Sequence, residues 1–488
     1  MKNYITTILA LSALSSSTAF AWNGQKPFWF DGNKGSEATN QTWSLINNWR
    51  EESTGSMPGY LPGTSTDQNL NEATKVYFGT NSNKNGGQYI AGVTDVLNID
   101  VDVKMHQFQI QNRSDAITNV RAVEDGSLTF VNIPERAGEA NEHHHATIIM
   151  DNFLKDFRIG SSFSVDSAKL KNGAAAHPYF WQRASKNLYL GAADGMSTIT
   201  INAYEGTSST GQFEFHFKGA GDIVLNGKLT TNVMKGSDKL TAMVFIRKNG
   251  VVNSYGSTVF QASQTNDIDT ITVTEGLTAV FDMKNGAKAV AEKNTRSNFN
   301  SAVVSFRENS TIRFDGNNQL QTTTIISPKV QSGTALSAGL IDLNNTSQEA
   351  GMLRVWMALD SNSCKFDLDF GDEKNTANTL KLHDSFLVAI TDYNTPEAPI
   401  FDPTTSKFLI KNFEQGKDQF LVKNKISDEV LSAVYFDGAG TKGVDYEVVQ
   451  TQLSDGFWSL TYNAIPEPST YAMIFGAIAL GFVAYRRR

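Results

Sequence analysis

Thr198-Ile199-Thr200-Ile201 and, shortly after it, Gln212-Phe213-Glu214-Phe215-His216-Phe217 alternate polar and apolar residues with a period of two. That period places every second side chain on one face of an extended chain, so each stretch predicts a strand with one buried face. The pattern continues outward in both directions. It recurs upstream at residues 97–103, 127–133 and 157–165, and downstream at 222–225, 242–246, 270–273, 277–283, 302–306, 311–314 and 365–370. Turn formers such as Asp125-Gly126, Asn226-Gly227, Asn249-Gly250, Asn285-Gly286 and Asp315-Gly316 lie between them, and these residues adopt positive φ at little cost. Helical periodicity nowhere persists for three turns; residues 287–293 come nearest. The expected fold class is all-β.

No proline occurs between Tyr179 and Ser327, so nothing there interrupts ladder hydrogen bonding. Within this interval a small polar residue followed by a β-branched pair returns at irregular intervals, as in Ser197-Thr198-Ile199-Thr200, Gly221-Asp222-Ile223-Val224, Asp269-Thr270-Ile271-Thr272 and Ser310-Thr311-Ile312-Arg313. These units resemble the loosely repeated right-handed parallel β-helix of autotransporter-like passenger proteins. The resemblance implies a solenoid in which each coil buries an inward apolar row against its neighbours. A series of β-sandwiches would give a similar strand list and is the alternative. Length agrees with a solenoid, because 488 residues would otherwise divide into several domains.

Residues 93–395 are expected to form the solenoid body. Residues 22–92 are loop-rich and aromatic, with Phe28-Trp29-Phe30, Trp43, Trp49, Pro58-Gly59 and Pro62-Gly63, and are expected to cap the first coil. After a polar loop holding Pro396, Pro399 and Pro403, residues 405–463 predict a small C-terminal β module.

Both ends of the chain read as addresses. At the start, Lys2, an apolar run over 5–14 and the small residues Ala19 and Ala21 before Trp22 predict a signal peptide at 1–21, cleaved ahead of Trp22 and requiring an export machinery. At the other end, Pro466-Glu467-Pro468-Ser469-Thr470 precedes an uncharged segment, 469–485, and then Arg486-Arg487-Arg488. Seventeen uncharged residues approach the lower limit for a transmembrane helix, and three arginines predict a cytoplasmic stop. Pro466 and Pro468 are expected to keep the junction extended.

The order of motif, apolar segment and basic stop over 464–488 resembles the PEP-CTERM sorting signal of Gram-negative exported proteins. That resemblance implies an exosortase-type processing enzyme as a partner, transient anchoring in the inner membrane, and delivery to the cell surface or extracellular matrix. It says nothing about the chemistry of the body.

Without both terminal segments, 38 basic and 49 acidic side chains remain, a balance of about −11 against −8 for the whole chain. Such a surface excludes a nucleic-acid partner, which would need clustered lysine and arginine. The single cysteine, Cys364, precludes an intramolecular disulfide and is expected to be a buried thiol.

Few residues nominate chemistry. His143-His144-His145 lies in a polar stretch and predicts a solvated loop rather than a metal site, and His106, His177, His216 and His383 lack ligand spacing. Asp100 with Asp102, and Asp367 with Asp369, are i, i+2 pairs whose spacing of about 7 Å would suit glycoside hydrolysis. Any solvated strand face offers the same geometry, so neither pair is expected to be catalytic. No catalytic residue, metal or cofactor is expected. The expected function is structural or adhesive, with extracellular polysaccharide as a ligand; a polysaccharide lyase or glycoside hydrolase on the same scaffold is the alternative. Aromatic and charged side chains converging in a groove would favour the enzyme, and a flat face of Asn, Thr and Ser the structural role.

Overall fold

A computed structural model describes residues 26–30, 42–51, 56, 58–64, 74–78, 96–111, 117–131, 146–151, 155–166, 179–183, 185–203, 212–233, 241–246, 257–268, 270–274, 276–290, 301–330, 337–357, 363–373, 376–390, 401–466 and 468–487. The signal-peptide residues Ala19, Ala21 and Trp22, the histidines His143, His144, His145 and His177, and Glu467 and Arg488 lie outside the described residues.

The alternating stretches form strands, and almost every ladder is parallel. Leu188–Leu190 pairs with Ile223–Leu225 of the next coil, Ser197–Ala203 with Gly227–Val233, and Gln212–Gly219 with Thr241–Ile246. A complete coil therefore contributes one strand to each of three faces. Among the described residues the first face has 13 strands, the second 12, and the third two runs of five. We call them faces 1, 2 and 3. This is an all-β parallel solenoid; the sandwich alternative would pair sequence neighbours antiparallel instead.

Core rows run along the stack. On face 2, Leu97, Val120, Ile159, Leu190, Leu225, Phe260, Phe281 and Phe314 follow one another in register and all are buried. The rings of Phe260, Phe281 and Phe314 succeed each other at 5.3 Å. One hydrophobic cluster extends from Phe28 to Leu460, so burial is continuous along the whole stack.

Coil length varies widely. Register partners Thr258 and Ala279 are 21 residues apart, whereas Leu368 and Ile410 are 42 apart. Only the inward row must match its neighbours, so the excess is accommodated between strands and no strict repeat can be written. Two local exceptions have physical causes. Pairing of Ile325–Val330 with Met352–Met357 lapses at Ser327 and Pro328, where proline supplies no N–H. Gly339, at φ +127°, sits where a Cβ would meet the Ser310 carbonyl oxygen at 1.9 Å; only glycine lets the coils approach there.

Face 3 has no described ladder between Gly227–Val233 and Gln348–Ala350. Buried amide side chains bridge coils in that interval. Asn266 Oδ1 accepts from Leu229 N at 2.7 Å, Gln319 Oε1 accepts from Met283 N, and Gln348 Oε1 accepts from Gln319 N at 2.9 Å. Each buried carboxamide thus satisfies a backbone donor that a strand would otherwise satisfy.

The ends differ from the expected division. Lys26–Phe30 and Thr74–Phe78, within 22–92, already belong to face 1, and Trp49–Glu51 closes that sheet by antiparallel pairing. Trp43 and Trp49 are fully buried beside it, with ring centroids 4.4 Å apart. Residues 405–463 are not a separate module: Lys407–Lys411 pairs with Lys365–Asp369, and Gln419–Val422 with Thr379–Leu382, so both continue the stack. Only the antiparallel hairpin of Tyr446–Gln452 and Trp458–Ala464 departs from it.

A helix, Pro468–Arg486, follows, with Met473, Phe475, Leu480, Phe482 and Tyr485 all more than two-thirds exposed. Pro466 remains non-helical, but Pro468 opens the helix instead of extending the junction, because its fixed φ and missing N–H suit a first helical turn. Among the described residues no helix is long and apolar enough to cross a membrane. The segment expected to span, 469–485, lies within this helix of 19 residues.

Candidate functional site: a hydroxyl-lined groove on face 3

The carboxylate pairs proposed from spacing are already committed to partners. Asp100 and Asp102 do not share a strand: Val96–Ile99 lies on face 2 and Asp102–Met105 on face 3, with Asp100 at the corner between them. Asp100 accepts from Ser44 N at 2.9 Å and from the Ser44 hydroxyl, and Asp102 accepts from Ser127 Oγ at 2.6 Å. Asp367 and Asp369 do share one strand face. Asp367 pairs with Lys411 Nζ at 2.6 Å, while Asp369 Oδ1 accepts from Gly371 N and Asn412 Nδ2 at 2.9 and 2.8 Å.

Folding adds a row that spacing along the chain did not reveal. Arg313, Asp342, Asp369 and Lys411 are successive register partners on face 2. Burial raises the Asp342 carboxyl above its ordinary value, with Asn344 N–H opposing and Asp369 reinforcing the shift. Cationic side chains at both ends of the row flank the two carboxylates, and with the hydrogen bonds to those carboxylates they make it a clasp between coils. Sequence offered no signal for it, because the intervals joining these residues are 29, 27 and 42 positions long.

The described histidines do not converge. His106 and His216 are buried in separate coils, whereas His383 Nε2 contacts Glu349 Oε2 at 2.8 Å on the surface. Among the described residues no three histidine, cysteine, aspartate or glutamate side chains come together as metal ligands. Cys364 is buried, and burial pushes its thiol far above the ordinary value, so it is not a thiolate at neutral pH.

Face 3 carries a groove of about 500 Å³ across its first run of strands. Two hydroxyl rows line it. Thr129, Ser164 and Thr200 are in register on consecutive coils, and Thr230 extends the row. Ser127, Ser162 and Thr198 form the second row at the corner from face 2. Local sequence explains the geometry: Leu128, Phe130, Phe163, Val165, Ile199 and Ile201 point inward and are buried, so the residues alternating with them must point out. The trough exists because its corner residues are small; at Gly126 a Cβ would meet the Ile99 carbonyl oxygen at 1.9 Å.

Some of these hydroxyls serve the fold. Ser162 Oγ accepts from Thr198 N at 2.9 Å, and Ser161 Oγ accepts from Ala122 N at 2.9 Å. No acidic or basic side chain lines the trough. Asp102 and Lys104 stand at one end of the rows and Lys228 at the other. The lining can donate and accept neutral hydrogen bonds, and it offers neither a general acid and base nor a counter-ion. Alternation identified these residues as outward-facing from sequence alone, while their alignment into rows required the fold.

Compared with known proteins, the chain matches no family model, no curated protein and no solved structure.

Proposed function

We propose that this is an exported structural or adhesive protein of a Gram-negative cell surface or extracellular matrix, sorted by its C-terminal tail. One observation carries the proposal: a helix bearing exposed apolar side chains directly follows the last strand of an otherwise well-buried solenoid. Met473, Ile474, Phe475, Ile478, Leu480, Phe482, Val483 and Tyr485 are all at least half exposed, against only Met196 and Val444 among large hydrophobic side chains elsewhere in the described residues. Such a helix requires a non-aqueous environment. During export it holds the chain at the inner membrane, with Arg486, Arg487 and Arg488 retained on the cytoplasmic side. An exosortase-type enzyme then acts at Pro466-Glu467-Pro468-Ser469-Thr470, and the solenoid is delivered without its tail. The hydroxyl-lined groove supports a role in contact with matrix polymer.

The test is a triple variant, Pro466→Ala, Glu467→Ala and Pro468→Ala, expressed in a host with such an enzyme. Wild type is expected outside the cell in a shortened form, and the variant uncut in the inner-membrane fraction. A wild-type release pattern in the variant refutes the sorting role.

A further inference from the structure

We infer that the groove on face 3 is a binding site for an uncharged polysaccharide, held by the row Thr129, Ser164 and Thr200 and continued by Thr230. The inference rests on the matrix role proposed above and names the ligand class of that site.

Three features select this class. The first is an unused hydrogen-bonding comb. Among the described residues the hydroxyls of Thr129, Ser164 and Thr200 have no protein partner, although all three side chains are half-buried in the trough. In-register parallel strands repeat at about 4.8 Å, so these hydroxyls present donor–acceptor groups at a regular interval along the solenoid axis. The second row, Ser127, Ser162 and Thr198, lies about 7 Å away along the strands. A polyhydroxylated chain is itself a repeating set of groups that both donate and accept, and it can engage such a comb over several units.

The second feature is charge. The trough has no cationic lining, and the body around it is acidic, at about −11. An acidic polysaccharide would find no counter-ion within the trough, only Lys104 and Lys228 beyond its ends, and would meet long-range repulsion from the body. The third is the near absence of exposed apolar surface: Leu128 and Phe163 reach the trough but are buried, at 1% and 3% exposure. A protein partner would find no anchor residue there.

The experiment uses the full-length chain in mild detergent and affinity electrophoresis through gels containing hydroxyethylcellulose, dextran or laminarin as neutral probes, with alginate as the acidic one. Retardation is expected with at least one neutral polymer and not with alginate. Combining Thr129→Val, Ser164→Ala and Thr200→Val removes the comb at nearly constant shape, and the dissociation constant is expected to rise at least about tenfold. Retardation by none of the neutral polymers overturns the inference, as does undiminished binding by the triple variant or equal binding to alginate. Circular dichroism and thermal melting of the triple variant separate lost binding from lost fold. Because this assay does not involve sorting, its failure leaves the surface role standing, whereas normal release of the Pro466-Glu467-Pro468 variant would leave the glycan site standing.

Discussion

Replacing Lys329 by methionine is expected to stabilise the protein at neutral pH and to lose that advantage in alkali. Lys329 lies on face 1 with its Nζ 3.8 Å from the centroid of the Trp356 ring, on the neighbouring coil. Burial first, and then the charges of Arg307 and Arg354, pull its ammonium from the ordinary 10.5 down to about 8. Each unit corresponds to 1.36 kcal/mol, so holding the charge in the fold costs about 3 kcal/mol, less whatever solvent screens at the partly open amine. The contact with Trp356 offsets about 0.5–1 kcal/mol of the charge's cost, and a methionine thioether retains favourable packing on the ring. The net gain expected at pH 7 is about 2 kcal/mol.

The sign follows from linkage. Below about pH 8 both the folded and the unfolded wild type carry the proton, and the full cost applies. Between about pH 8 and 10.5 the unfolded chain still binds a proton that the folded chain has released, so wild-type stability rises with pH and the variant's advantage shrinks. Urea unfolding of both proteins at pH 7 and pH 10 measures the difference, with the slope m checking that the exposed surface is unchanged. A variant less stable than wild type at pH 7, or one with the same gain at both pH values, would refute the account of Lys329.

Two further perturbations address the stack itself. Phe281→Ala removes the middle ring of the Phe260, Phe281 and Phe314 row and is expected to cost about 3–5 kcal/mol. Because each coil touches only its neighbours, amide hydrogen exchange should accelerate most in residues 258–314, and uniform acceleration along the chain would contradict a one-dimensional stack. Gly339→Ala forces a Cβ against the Ser310 carbonyl at a positive φ and should destabilise the protein by more than 1 kcal/mol; a melting temperature equal to wild type would show that the coils have slack there.

Local periodicity in this sequence determined strand identity, inward and outward faces and the all-β class. Phe281, Ile199 and Leu368 are buried where alternation places them, and Thr200 and Asp367 point outward. These properties depend only on the two-residue repeat of an extended backbone. Strand limits were less legible: 97–103 and 157–165, each read as one strand, bend around corners between faces 2 and 3, because a turn of one to three residues leaves the alternation almost intact. The aromatic N-terminal segment and residues 405–463 looked separable, yet their strands pair with the body, and backbone pairing leaves little trace in composition. Only the tertiary structure decided which residues stand beside one another. Thr129, Ser164 and Thr200 are 35 and 36 positions apart, and Asp369 and Lys411 are 42 apart, yet each set is in register. Variable coil length separates them in the chain while the inward apolar row holds them together in space, so the groove and the charged row exist only once the coils are stacked.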